Sequence, residues 1–307
     1  MFEMWKGRDV ISILDFSRTD LEELFDRADY VLKSDLREKP LDGKIMATAF
    51  FEPSTRTRLS FESAMLRLGG SNIGFAEAGT SSQVKGENFA DTIRMLDNYS
   101  DIIVLRHPLE GAARFAAEIS NSPVVNAGDG KREHPTQAML DLYAIKRNFG
   151  KIDGLTYCVL GDLKYSRAAA SFVLGLTRFN PDRIYLVSPP QLSVREEIKD
   201  HLKMLNIKFD ERAELREVLH EIDVLYVTRI QRERFPDLRE YEALKNSYVV
   251  DAKMLENAKS NLAILHPLPR VNELSLDVDK TKMAKYFEQA RMGVYVRMAL
   301  LRLIFGV

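Results

Sequence analysis

Hydrophobic and polar positions along this chain follow two alternating patterns, one typical of amphipathic helices and the other of buried strands. Leu21, Leu24, Ala28 and Val31 recur at the three- and four-residue spacing of one helix face. A mostly apolar, β-type run at 44–49 comes next and predicts a strand. Because the two patterns keep alternating as far as residue 305, we predict an α/β fold built on parallel sheets flanked by helices.

Two series of these elements are separated by a helix pattern at 135–149, which begins at Pro135 and ends before Gly150. The predicted strands lie at 44–49, 73–75, 102–105, 124–126, 156–160, 184–187, 207–209, 224–228 and 262–265. We predict a first domain at 1–134, a linking helix at 135–149 and a second domain at 150–289. The final helix, 290–307, is expected to pack back on the first domain.

Polar, arginine-rich segments follow the predicted strands at their carboxyl ends. In open α/β sheets, ligands bind beyond those ends. The segments include Ser54-Thr55-Arg56-Thr57-Arg58, Arg106-His107, His134-Pro135-Thr136-Gln137, Ser166-Arg167, Arg229-Ile230-Gln231 and His266-Pro267-Leu268-Pro269-Arg270. The sequence therefore predicts a ligand that carries several negative charges. Each of the two domains is expected to bind some of these charges.

Residues 54–58 carry the most specific of these signals. Ser54 precedes a helix pattern, and the N–H groups of a helix N-terminus together with a planar guanidinium suit a phosphate group. The alternative interpretation is an ordinary capped helix start followed by solvent-facing arginines. The recurrence of arginine after the other strands favours the phosphate site.

The amino-acid composition and net charge restrict the classes of protein to which this chain can belong. The chain has 307 residues, 45% of them hydrophobic and 29% charged, which indicates a soluble globular protein with room for two cores. The net charge of -1 argues against a nucleic-acid partner. The single cysteine, Cys158, cannot form an intrachain disulfide and fits a reducing cytoplasm. No apolar run reaches the length of a membrane span, and we expect no signal peptide at the N-terminus.

The common motifs of nucleotide binding, nucleophilic catalysis and metal binding are missing from the sequence. It contains no G-x-G-x-x-G, no phosphate loop of the G-x-x-x-x-G-K-[ST] type, no G-x-S-x-G, no H-E-x-x-H and no cysteine cluster. We therefore expect no covalent nucleophile, no catalytic metal and no cofactor. Direct group transfer between two bound anions is the simpler interpretation.

Three motifs resemble the signatures of the aspartate/ornithine carbamoyltransferase family. They are Phe-Phe-Glu-Pro-Ser-Thr-Arg-Thr-Arg at 50–58, His-Pro-Thr-Gln at 134–137 and His-Pro-Leu-Pro-Arg at 266–270, and the resemblance spans nearly the whole chain. Members that act on ornithine typically have His-Cys-Leu-Pro at the last site, so this chain resembles the catalytic chains of the aspartate-specific members. The resemblance implies transfer of a carbamoyl group from carbamoyl phosphate to L-aspartate, giving N-carbamoyl-L-aspartate and phosphate in pyrimidine biosynthesis.

The resemblance also implies a role for each matching residue. Those implied to bind carbamoyl phosphate are Ser54, Thr55, Arg56, Thr57, Ser81, Arg106, His134, Gln137, Pro267 and Leu268. Those implied to bind aspartate are Lys85, Arg167, Arg229, Gln231 and Leu268. The implied catalytic set is Arg56, Thr57, Lys85, Arg106 and His134. Thr57, Arg106 and His134 are expected around the carbonyl oxygen, whereas Gln137 and the carbonyl groups of Pro267 and Leu268 are expected to hold the carbamoyl amide.

Ser81 and Lys85 match a family loop that reaches the active site of a neighbouring subunit, which implies a homotrimer at least. Some members also associate with a regulatory chain. Three positions depart from the family pattern: Val84 stands where a second loop lysine often occurs, and Ser166 and Ala168 flank Arg167 where Gly and Thr are more usual. One hydroxyl contact to aspartate is therefore expected to be missing.

Two alternatives compete with this interpretation. A carbamoyltransferase for another amino acid, such as ornithine, is opposed by Arg167 and Arg229, because these guanidinium groups suit an anionic substrate. A catalytically silent, anion-binding paralogue is opposed by the presence of Arg56, Arg106 and His134.

Overall fold

The computed structural model describes residues 4–34, 38–76, 86–235 and 237–307. Within these ranges the helices are α1 (Arg18–Lys33), α2 (Thr55–Arg67), α3 (Phe89–Tyr99), α4 (Ala112–Ile119), α5 (Pro135–Phe149), α6 (Arg167–Leu176), α7 (Glu196–Met204), α8 (Leu238–Leu244) and α9 (Tyr286–Phe305). The strands are β1 (Ile45–Phe50), β2 (Ser71–Phe75), β3 (Ile102–His107), β4 (Val124–Asp129), β5 (Thr156–Leu160), β6 (Arg183–Val187), β7 (Phe209–Arg212), β8 (Val224–Val227) and β9 (Ala263–Leu265).

The chain forms two compact units. The first comprises residues 1–139 and 291–307, and the second comprises residues 140–290. Each contains one parallel sheet with helices, so the predicted fold class is confirmed. The unit limits fall within α5 and α9, and the predicted domain limits at 134, 150 and 289 stay a prediction.

The first sheet has the strand order β2-β1-β3-β4. The chain leaves β1 towards β2 on one side and returns to β3 on the other, so the order reverses between β1 and β3. In such sheets the reversal opens a crevice at the carboxyl ends of the two strands. At the β4 edge, Val10 forms a parallel bridge with Val125, which covers backbone groups that would otherwise be exposed.

The second sheet has the order β7-β6-β5-β8-β9, and its strand order reverses between β5 and β8. Its strands β5, β6, β8 and β9 are mostly apolar and buried because helices cover both sides of a parallel sheet, whereas the edge strand β7 is polar and partly exposed. Cys158 is fully buried in this core, beside Leu160 and Leu225, in agreement with its apolar sequence context.

Most predicted strand limits differ from the observed ones by one to three residues, and two boundaries differ for identifiable local reasons. The strand predicted at 207–209 begins at Phe209, because the N–H groups of Asn206 and Ile207 bond to Lys203 and Leu202 and close α7 in a Schellman-type cap. Asn206 has the left-handed backbone that this cap requires, with φ 55°. The last helix begins at Tyr286 rather than near 290, because nothing in 286–290 interrupts it and Tyr286 is buried.

Among the described residues, no helix combines the length and the apolar character needed to cross a membrane.

Candidate active site

The start of α2 lies at the strand reversal of the first unit. Ser54 occupies the N-cap position, but its side chain makes no capping hydrogen bond, which corrects the simple picture of a serine cap. Thr55 and Arg56, in the first turn, are exposed. First-turn N–H groups have no partner within the helix and point outward with the positive end of its dipole. This helix start can therefore accept an anion.

Thr57 and His134 lie next to each other although they are 77 positions apart. Oγ1 of Thr57 is 3.4 Å from Nε2 of His134, and both residues are buried. Thr57 belongs to the first turn of α2, and His134 directly precedes α5. The sheet places the two helix starts side by side. The structure thus brings together two side chains that the sequence predicted for one site.

Arg106, near the end of β3, is held towards the same sheet edge. Its Nε lies 3.5 Å from Oε2 of Glu52, and its Nη1 lies 3.5 Å from the carbonyl oxygen of Ala127. The β1–β3 register pairs Arg106 with Phe50, four residues before Ser54. The guanidinium is only about one-sixth exposed, which limits screening of its charge by water.

A buried polar network supports the turn after β4. Asn126 donates from Nδ2 to Oδ1 of Asp129 over 3.1 Å, and its Oδ1 accepts the N–H of Gly128 over 2.8 Å. Glu133 accepts from the hydroxyl of Ser12 and from the N–H of Ile13. Burial raises the pKa of Glu133, and those two hydrogen bonds oppose the rise. The segment that presents His134 is thereby anchored to the N-terminal part of the unit.

His107, which belongs to the polar segment after β3, has a structural environment. Its Nδ1 accepts the N–H of Leu109 over 3.0 Å, and its ring packs on Phe51 and Phe89 with centroids 4.9 and 4.8 Å away. Burial lowers its pKa. The imidazole is therefore neutral at pH 7.

The second unit forms a similar crevice where β5 and β8 end. A Cβ added at Gly161 would lie 2.1 Å from the carbonyl oxygen of Thr228, so only glycine allows this close approach. The Thr228 hydroxyl donates to the carbonyl oxygen of Leu160 over 3.1 Å. The segments that follow β5 and β8 are thus held against each other.

Asp162 sits at the base of this crevice with no exposed surface. Its Oδ1 accepts the N–H of Tyr165 over 2.8 Å, and its Oδ2 lies 3.5 Å from the N–H of Gln231. Burial raises the pKa of Asp162 to about 6, although these backbone hydrogen bonds and the charge of Arg229 act to lower it. Asp162 therefore links the loops that carry two predicted aspartate ligands, Arg167 and Gln231.

Arg167 and Arg229 reach this crevice in different environments. Arg167 is buried as the first residue of α6, whose N-cap is Ser166, with Oγ accepting the N–H of Ala169 over 3.2 Å. Arg229 forms a two-pronged ion pair with Glu233, one contact of which is 3.1 Å. Burial favours the neutral form of Glu233, but its hydrogen bond with Arg229, a backbone hydrogen bond and the charges of Arg229 and Arg234 together lower the pKa of the carboxyl.

Gln137, Pro267 and Leu268 are the other predicted residues that the structure describes. Gln137 is buried in the first turn of α5. Pro267 and Leu268 occupy the loop after β9, where Leu268 has a φ of 57° and a cis peptide bond leads to Pro269. Ser81 and Lys85 lie outside the described residues, as does Val84.

The sequence-based prediction missed three further residues: Asp162, Glu233 and Glu273, whose Oε1 lies 2.7 Å from Nε2 of His266. Asp162 follows Gly161 directly after a strand, which is a signal that the sequence contains. Glu233 looks like part of a solvated turn in the sequence, and Glu273 carries no signal. In the described ranges, no group of three or more His, Cys, Asp or Glu side chains is arranged to hold a metal ion.

Comparison with known proteins agrees with this geometry in both units. The family model for the carbamoyl-P binding domain of aspartate/ornithine carbamoyltransferases matches residues 8–147, and the model for the Asp/Orn binding domain matches residues 153–304. The aspartate carbamoyltransferase catalytic subunit of Thermofilum pendens is 64% identical over 299 residues, which are 97% of this chain and 95% of that one. The catalytic subunit from Hyperthermus butylicus is 62% identical over 307 residues, covering 98% and 97% of the two chains.

Solved structures show the same similarity. Aspartate transcarbamoylase from Trypanosoma cruzi, in complex with carbamoyl phosphate and aspartate, superimposes with a TM-score of 0.92 at 38% identity and covers 97% of both chains. The catalytic subunit of M. jannaschii aspartate transcarbamoylase gives a TM-score of 0.88 at 49% identity, again over 97% of both chains. Because identity at this level extends over nearly the full length and both family models match, the chain belongs to the aspartate/ornithine carbamoyltransferase family.

Proposed function

We infer that this chain transfers the carbamoyl group of carbamoyl phosphate to the amine of L-aspartate, which yields N-carbamoyl-L-aspartate and phosphate. The observation that carries this inference is the contact between Thr57 and His134 beside the anion-accepting start of α2. The relatives named above are aspartate carbamoyltransferase catalytic subunits, and the Trypanosoma cruzi enzyme was solved with both substrates. The reaction is an early step of pyrimidine biosynthesis.

The first domain (1–134, with helix 290–307) binds carbamoyl phosphate in this proposal. Ser54, Thr55, Arg56 and Thr57 hold the phosphate, with Arg106 alongside. The support is the helix start, because its N–H groups and dipole favour the dianion. Oγ1 of Thr57, Nε2 of His134 and the Arg106 guanidinium surround the carbonyl oxygen. Gln137 and the carbonyl groups of Pro267 and Leu268 hold the carbamoyl amide.

The second domain (150–289, joined by the helix at 135–149) binds L-aspartate. Arg167 and Arg229 pair with its carboxylates, and Gln231 adds a hydrogen bond. A buried and a half-buried guanidinium suit carboxylates, since charge-assisted bonds strengthen where water is excluded. Lys85, Ser81 and the Leu268 carbonyl complete the set of proposed ligands.

The chemistry is direct displacement without a covalent enzyme intermediate. The aspartate nitrogen bonds to the carbonyl carbon, the bond from that carbon to the phosphate oxygen breaks, and the leaving phosphate accepts the amine proton. Negative charge grows on the carbonyl oxygen in the transition state. Each preorganised donor aimed at that oxygen contributes roughly 3 kcal/mol to lowering the barrier. Holding both substrates in line contributes a further ~7–11 kcal/mol in well-aligned cases.

A ureido-product assay with carbamoyl phosphate and either L-aspartate or L-ornithine tests the reaction. We expect product with aspartate alone. Product with ornithine would contradict the assignment of Arg167 and Arg229 to an anionic substrate. No product with either amino acid would favour a silent, anion-binding paralogue.

We propose that the chain forms a homotrimer in which Ser81 and Lys85 complete a neighbouring site. Leu59 and Leu66 on α2 are 51% and 58% exposed, and Ile73 on the edge strand β2 is 39% exposed. Leu59 and Leu66 are seven residues apart, so they share one helix face and form an apolar surface suited to a subunit contact.

Mixing Lys85→Ala trimers with His134→Ala trimers tests the shared site. If subunits exchange, hybrid trimers contain sites with neither substitution, so activity should return. Mixtures of each variant with itself serve as the control. Exchange without recovery of activity would show that Lys85 does not act across an interface.

We further propose a cytoplasmic location and an optional regulatory chain. The buried single thiol suits a reducing compartment, and the name "catalytic subunit" of the relatives suggests that some pair with another subunit. Cell fractionation and affinity purification of the tagged trimer from its own cells test both points.

A further inference from the structure

A buried carboxylate closes the loop that follows β9. Glu273 is 5% exposed, and its Oε1 lies 2.7 Å from Nε2 of His266 at the start of the loop. The same carboxylate accepts the N–H groups of Val271, over 3.1 Å, and Asn272, over 3.1 Å, at the end of the loop. Glu273 therefore ties both ends of a loop whose middle is Pro267 and Leu268.

His266 uses both ring nitrogens in this arrangement. Its Nδ1 lies 2.7 Å from the N–H of Leu268, which donates to it. A nitrogen that accepts a hydrogen bond carries no proton, so in the neutral ring the proton is on Nε2 and points at Glu273. Burial opposes ionisation of Glu273, but the hydrogen bonds that the carboxyl accepts from His266 and from backbone N–H groups favour its anion, and its pKa is lowered. The carboxyl group of Glu273 that accepts the hydrogen bond from Nε2 is therefore an anion.

The backbone of His266 is fixed as well. Its N–H donates to Oε1 of Gln289 over 2.9 Å, and Nε2 of Gln289 donates to Oδ1 of Asp141 over 2.5 Å. The other oxygen of Asp141 accepts the hydroxyl of Tyr226 over 2.8 Å. All these groups are buried in the second unit. The imidazole has little freedom to rotate or shift.

Leu268 needs such support. Its φ of 57° lies in the left-handed region, which a branched side chain rarely adopts. A residue keeps such a conformation only where its surroundings determine it. The bond from its N–H to His266 holds the peptide plane that this N–H shares with the Pro267 carbonyl group, and the φ of Leu268 sets the direction in which the chain carries the Leu268 carbonyl group away from that plane.

The first unit offers a natural comparison, because His107-Pro108-Leu109 repeats the His-Pro-Leu sequence. There too the N–H of the leucine donates to Nδ1 of the histidine, over 3.0 Å. The ring of His107, however, packs on the aromatic rings of Phe51 and Phe89. The local bond thus belongs to the His-Pro-Leu turn, whereas the carboxylate contact from Glu273 distinguishes the loop after β9.

We propose that His266, oriented by Glu273, is a positioning residue that aims the carbonyl groups of Pro267 and Leu268 at the amide of the carbamoyl group. This inference rests on the proposed function. His266 itself does not touch the substrate. His266 contributes to the selection of the carbamoyl group, whereas other residues bind the phosphate group.

Two substitutions separate the functions of the ring nitrogens. In His266→Asn, Oδ1 takes the place of Nδ1 and can accept the N–H of Leu268 as in an Asx turn, but the contact with Glu273 is lost. In His266→Gln, the amide can reach Glu273, but the Leu268 N–H loses its acceptor. Because an unsatisfied backbone group weakens the arrangement, we expect His266→Gln to lose carbamoyl phosphate affinity about tenfold. We expect His266→Asn to lose about threefold, because it keeps the acceptor for the Leu268 N–H but loses the contact with Glu273.

Calorimetric titration of the full chain with carbamoyl phosphate and, separately, with inorganic phosphate provides the measurement. The affinity for inorganic phosphate should stay within about twofold in both variants, since only the carbamoyl contact changes. His220→Gln, on an exposed histidine, is the matched control and should bind both ligands like the wild type.

Glu273→Gln is a second variant, which keeps the side-chain shape and removes the charge. It should lose carbamoyl phosphate affinity about threefold to tenfold, again with unchanged binding of inorganic phosphate, and it decides the question if His266→Gln does not fold. Equal loss of both ligands, or no loss of carbamoyl phosphate affinity, would overturn the proposal. Failure of the proposed function would be distinguishable, because the unsubstituted chain would then make no product from aspartate.

Discussion

Oγ1 of Thr57 lies 3.4 Å from Nε2 of His134, and this contact joins the starts of two helices that are far apart in the chain. Both starts follow strands of one parallel sheet, β1 and β4, and the carboxyl ends of parallel strands share one edge. A hydroxyl and an imidazole side by side can direct two donors at one oxygen atom. That arrangement suits an oxygen that gains charge during the reaction.

Removal of the imidazole should therefore affect the chemical step. We expect His134→Ala to lower kcat roughly 10²–10³-fold, the loss seen when one preorganised donor to a developing oxyanion is deleted. Steady-state assays at saturating aspartate measure it, and His220→Ala, at an exposed position, is the control. A kcat within threefold of the wild type would show that His134 does not act on the transition state.

Two neighbouring arginines of α2 should behave differently. Arg56 is exposed in the first turn, whereas Arg58 pairs with Glu62, with 3.4 Å between Nε and Oε1. We expect Arg56→Ala to raise KM for carbamoyl phosphate about 10- to 150-fold, because charged hydrogen bonds to phosphate are lost. Arg58→Ala should change it less than about threefold, since an ion pair between residues four apart on one helix contributes little. Equal effects in the two variants would contradict the assignment.

The ion pair of Arg229 and Glu233 prepares a guanidinium for the second substrate. Arg229→Ala should raise KM for aspartate by about tenfold or more, because a charged contact to one carboxylate is lost. KM for carbamoyl phosphate should stay unchanged. Arg239→Ala is the matched control, since Arg239 also pairs with a nearby carboxylate, that of Asp237, but its side chain is 93% exposed. An unchanged aspartate KM in Arg229→Ala would exclude Arg229 from the aspartate site.

Close packing at Gly161 should make this position intolerant of any side chain. The added Cβ of Gly161→Ala, at a φ of 117°, would meet the carbonyl oxygen of Thr228, whereas Gly150→Ala adds a Cβ in open space at a φ of 70°, which is also positive. We expect Gly161→Ala to lower the free energy of unfolding by about 1–3 kcal/mol more than Gly150→Ala, because overpacking adds to backbone strain. Urea titrations of the two variants measure these free energies of unfolding. Equal losses of stability would show that the neighbouring strand ends move apart freely.

Asp162 should give stability a distinct pH dependence. Its folded pKa of about 6 lies above the ordinary value of 3.8, so the folded chain binds more protons than the unfolded chain between these values. Stability should therefore fall as pH rises from 4 to 6, by roughly 3 kcal/mol in total from this group. Asp162→Asn cannot titrate and should lack this component in urea titrations across that range. Asp200→Asn, at an exposed position of α7, is the control. Parallel pH profiles for the wild type and Asp162→Asn would refute the raised pKa of Asp162.

Local sequence patterns were sufficient to predict much of this protein. The alternation of helix and strand periods predicted the α/β class, and the start of α2 was predicted to the residue because Pro53 and Ser54 interrupt an apolar run. The motifs at 50–58, 134–137 and 266–270 indicated the family for the same reason, since each is a short, contiguous segment. Such features depend on neighbours within one turn or one strand, and the sequence states those neighbours directly.

Only the tertiary structure decided which distant residues meet. The sequence does not state that β1 lies beside β3, so the approach of Glu52 to Arg106 could not be read from it. The family resemblance placed Thr57 and His134 at one site, but only the structure shows their contact. The clamp of Glu273 on His266 and the burial of Asp162 were likewise invisible, because a carboxylate in a loop has the same local pattern whether it is solvated or enclosed. Strand order and burial arise from packing of the whole sheet, and they determine the pKa of Asp162 and the orientation of His266.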